Sequence, residues 1–204
     1  GPLPKQIRRL ADAEFFVDRL KFPDSRYRHL DLATKFLYLE HKRALVDLKK
    51  RYLDAFVKLF KSKKLVKKSK ELFDRCVLIL GTMTPVFSQE DPLLISVGMI
   101  TIYYQLFRVA FDEQWSQKVS RQSLAAFEAE RARNRVRVRE TQELALEGRK
   151  TPSAAEINPV LVAFERWVQS PNDVTALTQR YKILRHYVVE GSLPDMGPDE
   201  LAQP

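Results

Sequence analysis

The chain has 204 residues, 45% of them hydrophobic, and its 35 Lys and Arg outnumber 26 Asp and Glu to give a formal net charge of +9. This length and apolar content suffice to bury one sizeable core. The single cysteine, Cys76, excludes an internal disulfide and favours a reducing, cytoplasmic location. Because the chain begins with Gly1 rather than Met, we expect further sequence upstream.

Apolar residues recur at helical spacing through the N-terminal part of the chain. The pattern predicts a first helix that ends before Pro23, since proline disfavours helical geometry at the preceding residue. A second helix is predicted from about Arg28 to Lys42, and a third is predicted to open at Asp47. These segments predict three consecutive amphipathic helices.

The middle of the chain predicts two further helices. Gly81 is placed to end a fourth amphipathic helix, because glycine tolerates the left-handed conformation of a C-cap. Asp91 and the proline after it form a start signal for the most apolar helix, from Leu93 to about Phe111. Polar residues interrupt this stretch, so it predicts a buried central helix rather than a transmembrane segment.

A long, charged and partly exposed helix is predicted from Ser116 to about Gly148. A turn at 150–153 should follow it. The next helix is predicted to start at Ser153 or at Asn158, since either residue can cap a helix.

Asp173 is a good N-cap for the last helix, which should end at Gly191. No strand pair, hairpin signal or repeat interrupts the helical pattern. We therefore predict an all-α fold, with one helical-bundle domain at residues 1–191 built from about seven or eight helices. The tail at residues 192–204 is rich in Pro, Gly and acids and is predicted to be disordered.

The segment 58–70 is the main indication of function, because it carries seven lysines and no acid. They are Lys58, Lys61, Lys63, Lys64, Lys67, Lys68 and Lys70. Such charge density attracts nucleic-acid phosphate, an anionic membrane or an acidic protein surface. We expect a helix that starts near Lys58 and turns Phe60, Leu65, Val66 and Leu72 inward. The favoured partner is the nucleic-acid backbone, read with little sequence preference, and a merely solvated lysine surface is the alternative.

A second basic series recurs at every second residue, at Arg131, Arg133, Arg135, Arg137 and Arg139. This spacing scatters the arginines around a helix instead of lining one face. Neighbouring glutamates lie at i, i+3 or i, i+4 positions, which favours a solvated surface of ion pairs. A supporting role in nucleic-acid binding is the other interpretation.

No catalytic constellation is found. The six glycines form no phosphate-cradling array, and the lone cysteine supplies no zinc-ligand pair, so we predict neither a cofactor nor a metal. His29 and His41, with Asp31 nearby, are the only candidates for acid–base chemistry. Histidines on a helix surface are far commoner than such a pair, so no catalytic residue is predicted.

Four short segments carry a resemblance to a known family. They read Asp-Ser-Arg-Tyr-Arg-His-Leu-Asp-Leu-Ala at 24–33, Tyr-Leu-Glu at 38–40, Asp-Leu-Lys-Lys at 47–50 and Leu-Asp-Ala-Phe at 53–56. Together they resemble the helical C-terminal half of GmrSD-type proteins, whose N-terminal half has a ParB-like fold with a nucleotide-processing motif and which often act in phage restriction. The Asp-Gly-Gln-Gln/His-Arg motif of that half and an HNH signature are missing here. The resemblance therefore carries over no catalytic residue.

The resemblance implies a non-catalytic helical module of a larger defence or restriction-type protein. Such a module would support an upstream catalytic domain, join subunits into a homo-oligomer or add DNA affinity. The alternative is a stand-alone helical adaptor that holds a protein partner through apolar surface on the 116–148 helix, for example at Phe127. Whether the parent protein is an enzyme stays open.

Overall fold

The computed structural model describes residues 1–24, 27–148 and 157–202, apart from the side chain of Lys63. Within these residues there are eight α-helices of ten or more residues and no β-strand, which confirms the predicted all-α fold. The helices are α1 (Pro2–Ala11), α2 (Arg28–Lys42), α3 (Lys50–Leu59), α4 (Val66–Met83), α5 (Val97–Asp112), α6 (Arg121–Leu146), α7 (Pro159–Val168) and α8 (Val174–Glu190). A short helix, α9 (Pro198–Ala202), follows them.

Helix α5 is the centre of the bundle, as its all-round apolar sequence predicts. It packs against α2 and α4 on one side and against α8 on the other. Helices α1, α2 and α4 pack together as one half, and α6, α7 and α8 form the other. The buried apolar side chains make one cluster that runs from Leu3 to Val188. Among the described helices, none combines the length and hydropathy that a bilayer-spanning segment requires.

Local capping signals set several helix ends where the sequence predicts them. The side chain of Asn158 accepts hydrogen bonds from the first backbone N–H groups of α7, and Asp173 does the same for α8. Gly191 ends α8 with φ at +76°, the left-handed conformation that glycine adopts without strain. Helix α6, in contrast, begins at Arg121 and not at the predicted Ser116, because Ser120 exchanges hydrogen bonds with Ser123 in a reciprocal capping box.

Other boundaries differ from the sequence prediction. Helix α1 ends at Ala11, and a separate π-helical turn at Phe15–Arg19 replaces the rest of the predicted first helix. Helix α3 begins at Lys50, three residues after the predicted start. Helix α4 continues past Gly81 to Met83, whose side chain is fully buried. Burial in the core thus extends this helix beyond its glycine. The predicted cap at Ser153 and the 150–153 turn lie outside the described residues.

Parts of the C-terminal segment contact the bundle. Leu193, Met196 and Leu201 pack against the core, and α9 contacts α7. A guanidinium N–H of Arg166 on α7 donates to the carbonyl oxygen of Leu201. Three apolar residues spread among the polar ones therefore find a hydrophobic surface that only the folded bundle presents.

Candidate nucleic-acid interface

The lysine-rich segment forms the corner between α3 and α4. Lys58 lies in the last turn of α3, a short 3₁₀ turn occupies Lys63–Leu65, and α4 starts at Val66. We call residues 58–70 the lysine corner. Its lysines with described side chains are all exposed: Lys58, Lys61, Lys64, Lys67, Lys68 and Lys70. The side chain of Lys63 lies outside the described part of the chain.

The prediction of one continuous helix from Lys58 is wrong. The hydroxyl of Ser62 accepts a hydrogen bond from the backbone N–H of Lys64 at 3.2 Å, and such a local bond competes with helical hydrogen bonding. Phe60 and Leu72 are buried as expected, but Val66 is 53% exposed. The break folds α4 back against α1 and α2, and it gathers lysines from two helices at one corner.

Six of the corner lysines have described side chains, and these six lack carboxylate partners in the described part of the chain. No ion pair within the described residues involves any of the six. Other lysines of the chain do have such partners: Lys35 lies 2.8 Å from Asp31, and Lys49 lies 2.8 Å from Asp173. The hydrogen bonds and negative charge of Asp173 also raise the pKa of Lys49. The corner is therefore an uncompensated cluster of positive charge.

Two further features of the fold add positive potential to the corner. Gly1, just before α1, lies so close to the corner that a Cβ atom there would be 2.5 Å from the carbonyl oxygen of Phe60. The first turn of α1 contains no acid, so the positive end of its dipole faces the corner unopposed. His41 and Lys42, at the end of α2, lie near enough to the corner for the charge of Lys68 to act on His41. Burial, followed by the charges of these two lysines, lowers the pKa of His41.

Neither feature follows from the sequence alone. Lys42 stands sixteen residues before the first corner lysine, and the start of α1 is further away still. Only the packing of α1, α2 and α4 brings them together. No pattern in the sequence predicts that the start of α1 and the end of α2 lie beside the lysine corner.

The structure places the arginine series in the other half of the bundle, on α6. Arg131 is only 4% exposed, so it does not belong to the predicted phosphate-binding set. Its guanidinium lies 2.7 Å from Glu128 and 2.8 Å from Glu165, and it stacks over the ring of Phe164 at 4.4 Å. This arginine holds α6 against α7.

The remaining arginines of the series are exposed. Arg135 pairs with Glu165 at 3.0 Å, and Arg139 lies 3.9 Å from Glu143. These pairs match the interpretation of α6 as a surface of ion pairs. Because α6 packs against α7 and α8, its exposed arginines, with Arg133 and Arg137 among them, belong to a different half of the bundle from the lysine corner.

The histidine pair lies in aromatic surroundings. His29 packs against Phe16 and Phe22, and His41 packs against Phe56 and Phe60. Twelve residues of helix separate the two histidines by about 18 Å, too far for a shared acid–base step. Across the described residues, no group of three His, Cys, Asp or Glu side chains is placed to hold a metal ion.

A buried polar cluster joins α2, α4 and α5. The fully buried carboxylate of Glu40 accepts hydrogen bonds from the hydroxyl of Tyr104 at 2.9 Å and from Arg43 at 3.0 Å. Burial raises the pKa of Tyr104 and of the neighbouring Cys76, so both groups stay protonated near neutral pH. This cluster ties helices together, and Cys76 is a buried free thiol within it.

Phe127, the suggested contact for an adaptor, is fully buried between Phe164 and Tyr187. It supports the packing of α6 and offers no surface to a partner. The exposed part of α6 begins after Asn134, the last buried residue of that helix.

Comparisons with protein-family models, with curated proteins and with solved structures found no match to this chain. The resemblance to GmrSD-type proteins therefore stays a prediction.

Proposed function

We propose that this chain is a non-catalytic helical module that binds the phosphate backbone of nucleic acid through the lysine corner. The supporting observation is that its six described lysines are exposed and have no ion-pair partner within the described residues. Like charges gathered at one corner repel one another, and a polyanion relieves this repulsion. Binding would therefore add favourable charge contacts without breaking internal ion pairs.

The chemistry of the corner favours contacts with phosphate over contacts with bases. Lysine ammonium groups are flexible point charges that give little base discrimination. The aromatic residue inside the corner, Phe60, is buried and cannot stack on bases. If all six described lysines contact phosphates of a duplex, log affinity should fall with log salt with a slope of about 5.

We further propose that the module belongs to a larger defence or restriction-type protein. This part rests on the resemblance of the segments between residues 24 and 56, which implies an upstream catalytic half. The test is turnover of nucleotide or DNA by the full-length parent protein but not by these 204 residues.

The binding proposal is tested by fluorescence anisotropy with a labelled random duplex at several salt concentrations. The test variant replaces Lys64, Lys67 and Lys68 by Gln. Loss of three phosphate contacts should lower the salt slope by about 3 and weaken binding at low salt. A matched control removes three exposed lysines outside the corner, Lys21, Lys118 and Lys182, and so changes the net charge equally.

The control should bind almost as the wild type does. Equal losses in both triple variants would show that binding follows net charge and not the corner. Absence of binding at low salt would reject the proposal outright.

Because Leu59 and Val66 are 54% and 53% exposed within the corner, vesicles containing phosphatidylserine are a necessary comparison. Binding to vesicles or to polyglutamate without binding to duplex would reassign the corner to a lipid or an acidic protein.

A stand-alone adaptor for a protein partner is the second candidate, and the exposure of α6 beyond Asn134 favours it. Such a partner would be held by apolar surface, so its affinity should survive moderate salt. Replacing the exposed Leu146 by Asp should weaken this binding and leave duplex affinity unchanged. Loss of duplex binding in the same variant would argue against two separate surfaces.

A further inference from the structure

Within the described residues, the second half of α6 contributes no fully buried residue to the core. After Asn134 the helix continues for twelve residues, about 18 Å, and none of them is buried. A helix of this kind needs ion pairs or another helix to stay ordered. The ion pair between Arg139 and Glu143 in this half is long at 3.9 Å, and both side chains are more than 60% exposed. Both charges therefore remain available to another molecule.

One face of α6 carries the spacing of a coiled-coil seam. Its residues follow one another at alternating intervals of three and four, which is the heptad pattern of two packed helices. The seam consists of Ala129, Ala132, Val136, Arg139, Glu143 and Leu146, all of them exposed. Val136 is 41% exposed and Leu146 is 88% exposed. This seam lies on a different side of α6 from Phe127 and Arg131, which face the core.

The charges of the seam are arranged to complement a second copy of the same helix. The arginine series ends at Arg139, and the following turns carry Glu140, Glu143 and Glu147 without any basic residue up to Gly148. Two such helices in parallel would set arginine against arginine. In the antiparallel arrangement, the arginine-rich half of each helix lies beside the glutamate-rich half of the other.

In one antiparallel register, apolar residues face apolar residues and arginine faces glutamate. When the two helices are centred between Arg139 and Glu143, each Arg139 faces Glu143 of the second copy. In the same register, each Val136 faces Leu146 of the second copy. Shifting the register by one heptad towards the start of the helix would place Arg139 against Val136 and Glu143 against Ala132, and it would lose both matches. The pairing is isologous, as a two-fold dimer requires.

We propose that α6 is a self-association surface, on which a second copy of this chain docks antiparallel through the seam from Val136 to Leu146. The overlap is eleven residues long, about 16 Å, so the interface belongs to the small and weak class. Dissociation in the micromolar range is expected, and salt should weaken the dimer because its central contacts are ionic. This surface is separate from the lysine corner.

Sedimentation velocity at protein concentrations from about 5 to about 500 µM tests the proposal. The informative variants are Arg139→Glu and Glu143→Arg, each of which sets two like charges against each other in the homodimer. Mixing the two variants sets the new glutamate at position 139 of one chain against the new arginine at position 143 of the other. Each variant should be monomeric alone, and the mixture should associate about as well as the wild type.

The control is Arg133→Glu, which makes the same charge change at an exposed residue outside the seam and should dimerise normally. Circular dichroism of each variant checks that α6 is still helical. Recovery of association on mixing cannot arise from a folding defect, because two misfolded chains do not repair one another. A wild type that stays monomeric throughout, or a mixture no more associated than the separate variants, overturns the proposal.

Discussion

Replacing Arg131 by Gln should destabilise the fold, because this arginine is buried and joins α6 to α7. Its side chain is 5% exposed, and it bridges Glu128 and Glu165, whose side chains are only 24% and 27% exposed. Glutamine cannot span both carboxylates or supply a positive charge. The substitution therefore removes the ion-pair partner of Glu128, leaves Glu165 paired with Arg135 alone, and removes the stacking over Phe164.

The expected magnitude follows from these contacts. Breaking a fully buried ion pair costs about 3–5 kcal/mol, and the partial exposure of both glutamates places this case at or below the lower end. The lost cation–π contact adds about 1 kcal/mol. A decrease of about 3 kcal/mol in the free energy of unfolding is expected, which corresponds to a fall of about 6–12 °C in Tm for a domain of this size.

Urea denaturation followed by circular dichroism measures the effect. The matched control is Arg133→Gln, which removes the same charge from an exposed position two residues away and should change stability by less than about 0.5 kcal/mol. The Arg131 variant should keep its duplex affinity under native conditions. A loss of stability below about 1 kcal/mol, or equal losses in both variants, would refute the assignment of Arg131 as a buried link between helices.

Two further outcomes are expected. Tyr104→Phe removes a hydrogen-bond donor from the buried carboxylate of Glu40. The free energy of unfolding should fall by about 1–3 kcal/mol in thermal denaturation. An unchanged Tm would mean that this hydrogen bond does not stabilise the fold. The pKa of His41 is lowered in the folded state, so the unfolded chain binds more protons than the folded chain near pH 6. The free energy of unfolding should therefore decrease as pH falls through about 6.5, the ordinary histidine pKa. Lys68→Gln should raise the His41 pKa towards its ordinary value in an NMR titration, and an unchanged pKa would contradict their proximity.

The amino-acid sequence by itself determined which segments are helical and where several of them end. Helix α2 spans Arg28–Lys42 as predicted, and α8 lies between Asp173 and Gly191. These signals are local, because a cap and an apolar stripe act over a few residues of the same helix. The density of lysine at 58–70 is likewise a property of sequence.

Tertiary packing decided which charges are exposed and which neighbours they meet. Arg131 and Arg133 belong to the same alternating series, yet one is buried against α7 and the other is exposed. The approach of Gly1 to the lysine corner and the docking of Leu201 are likewise contacts between distant segments. Periodicity predicts that a residue faces inward or outward on its own helix. Contacts between helices are set by the three-dimensional arrangement of the core, because burial is a property of the whole fold.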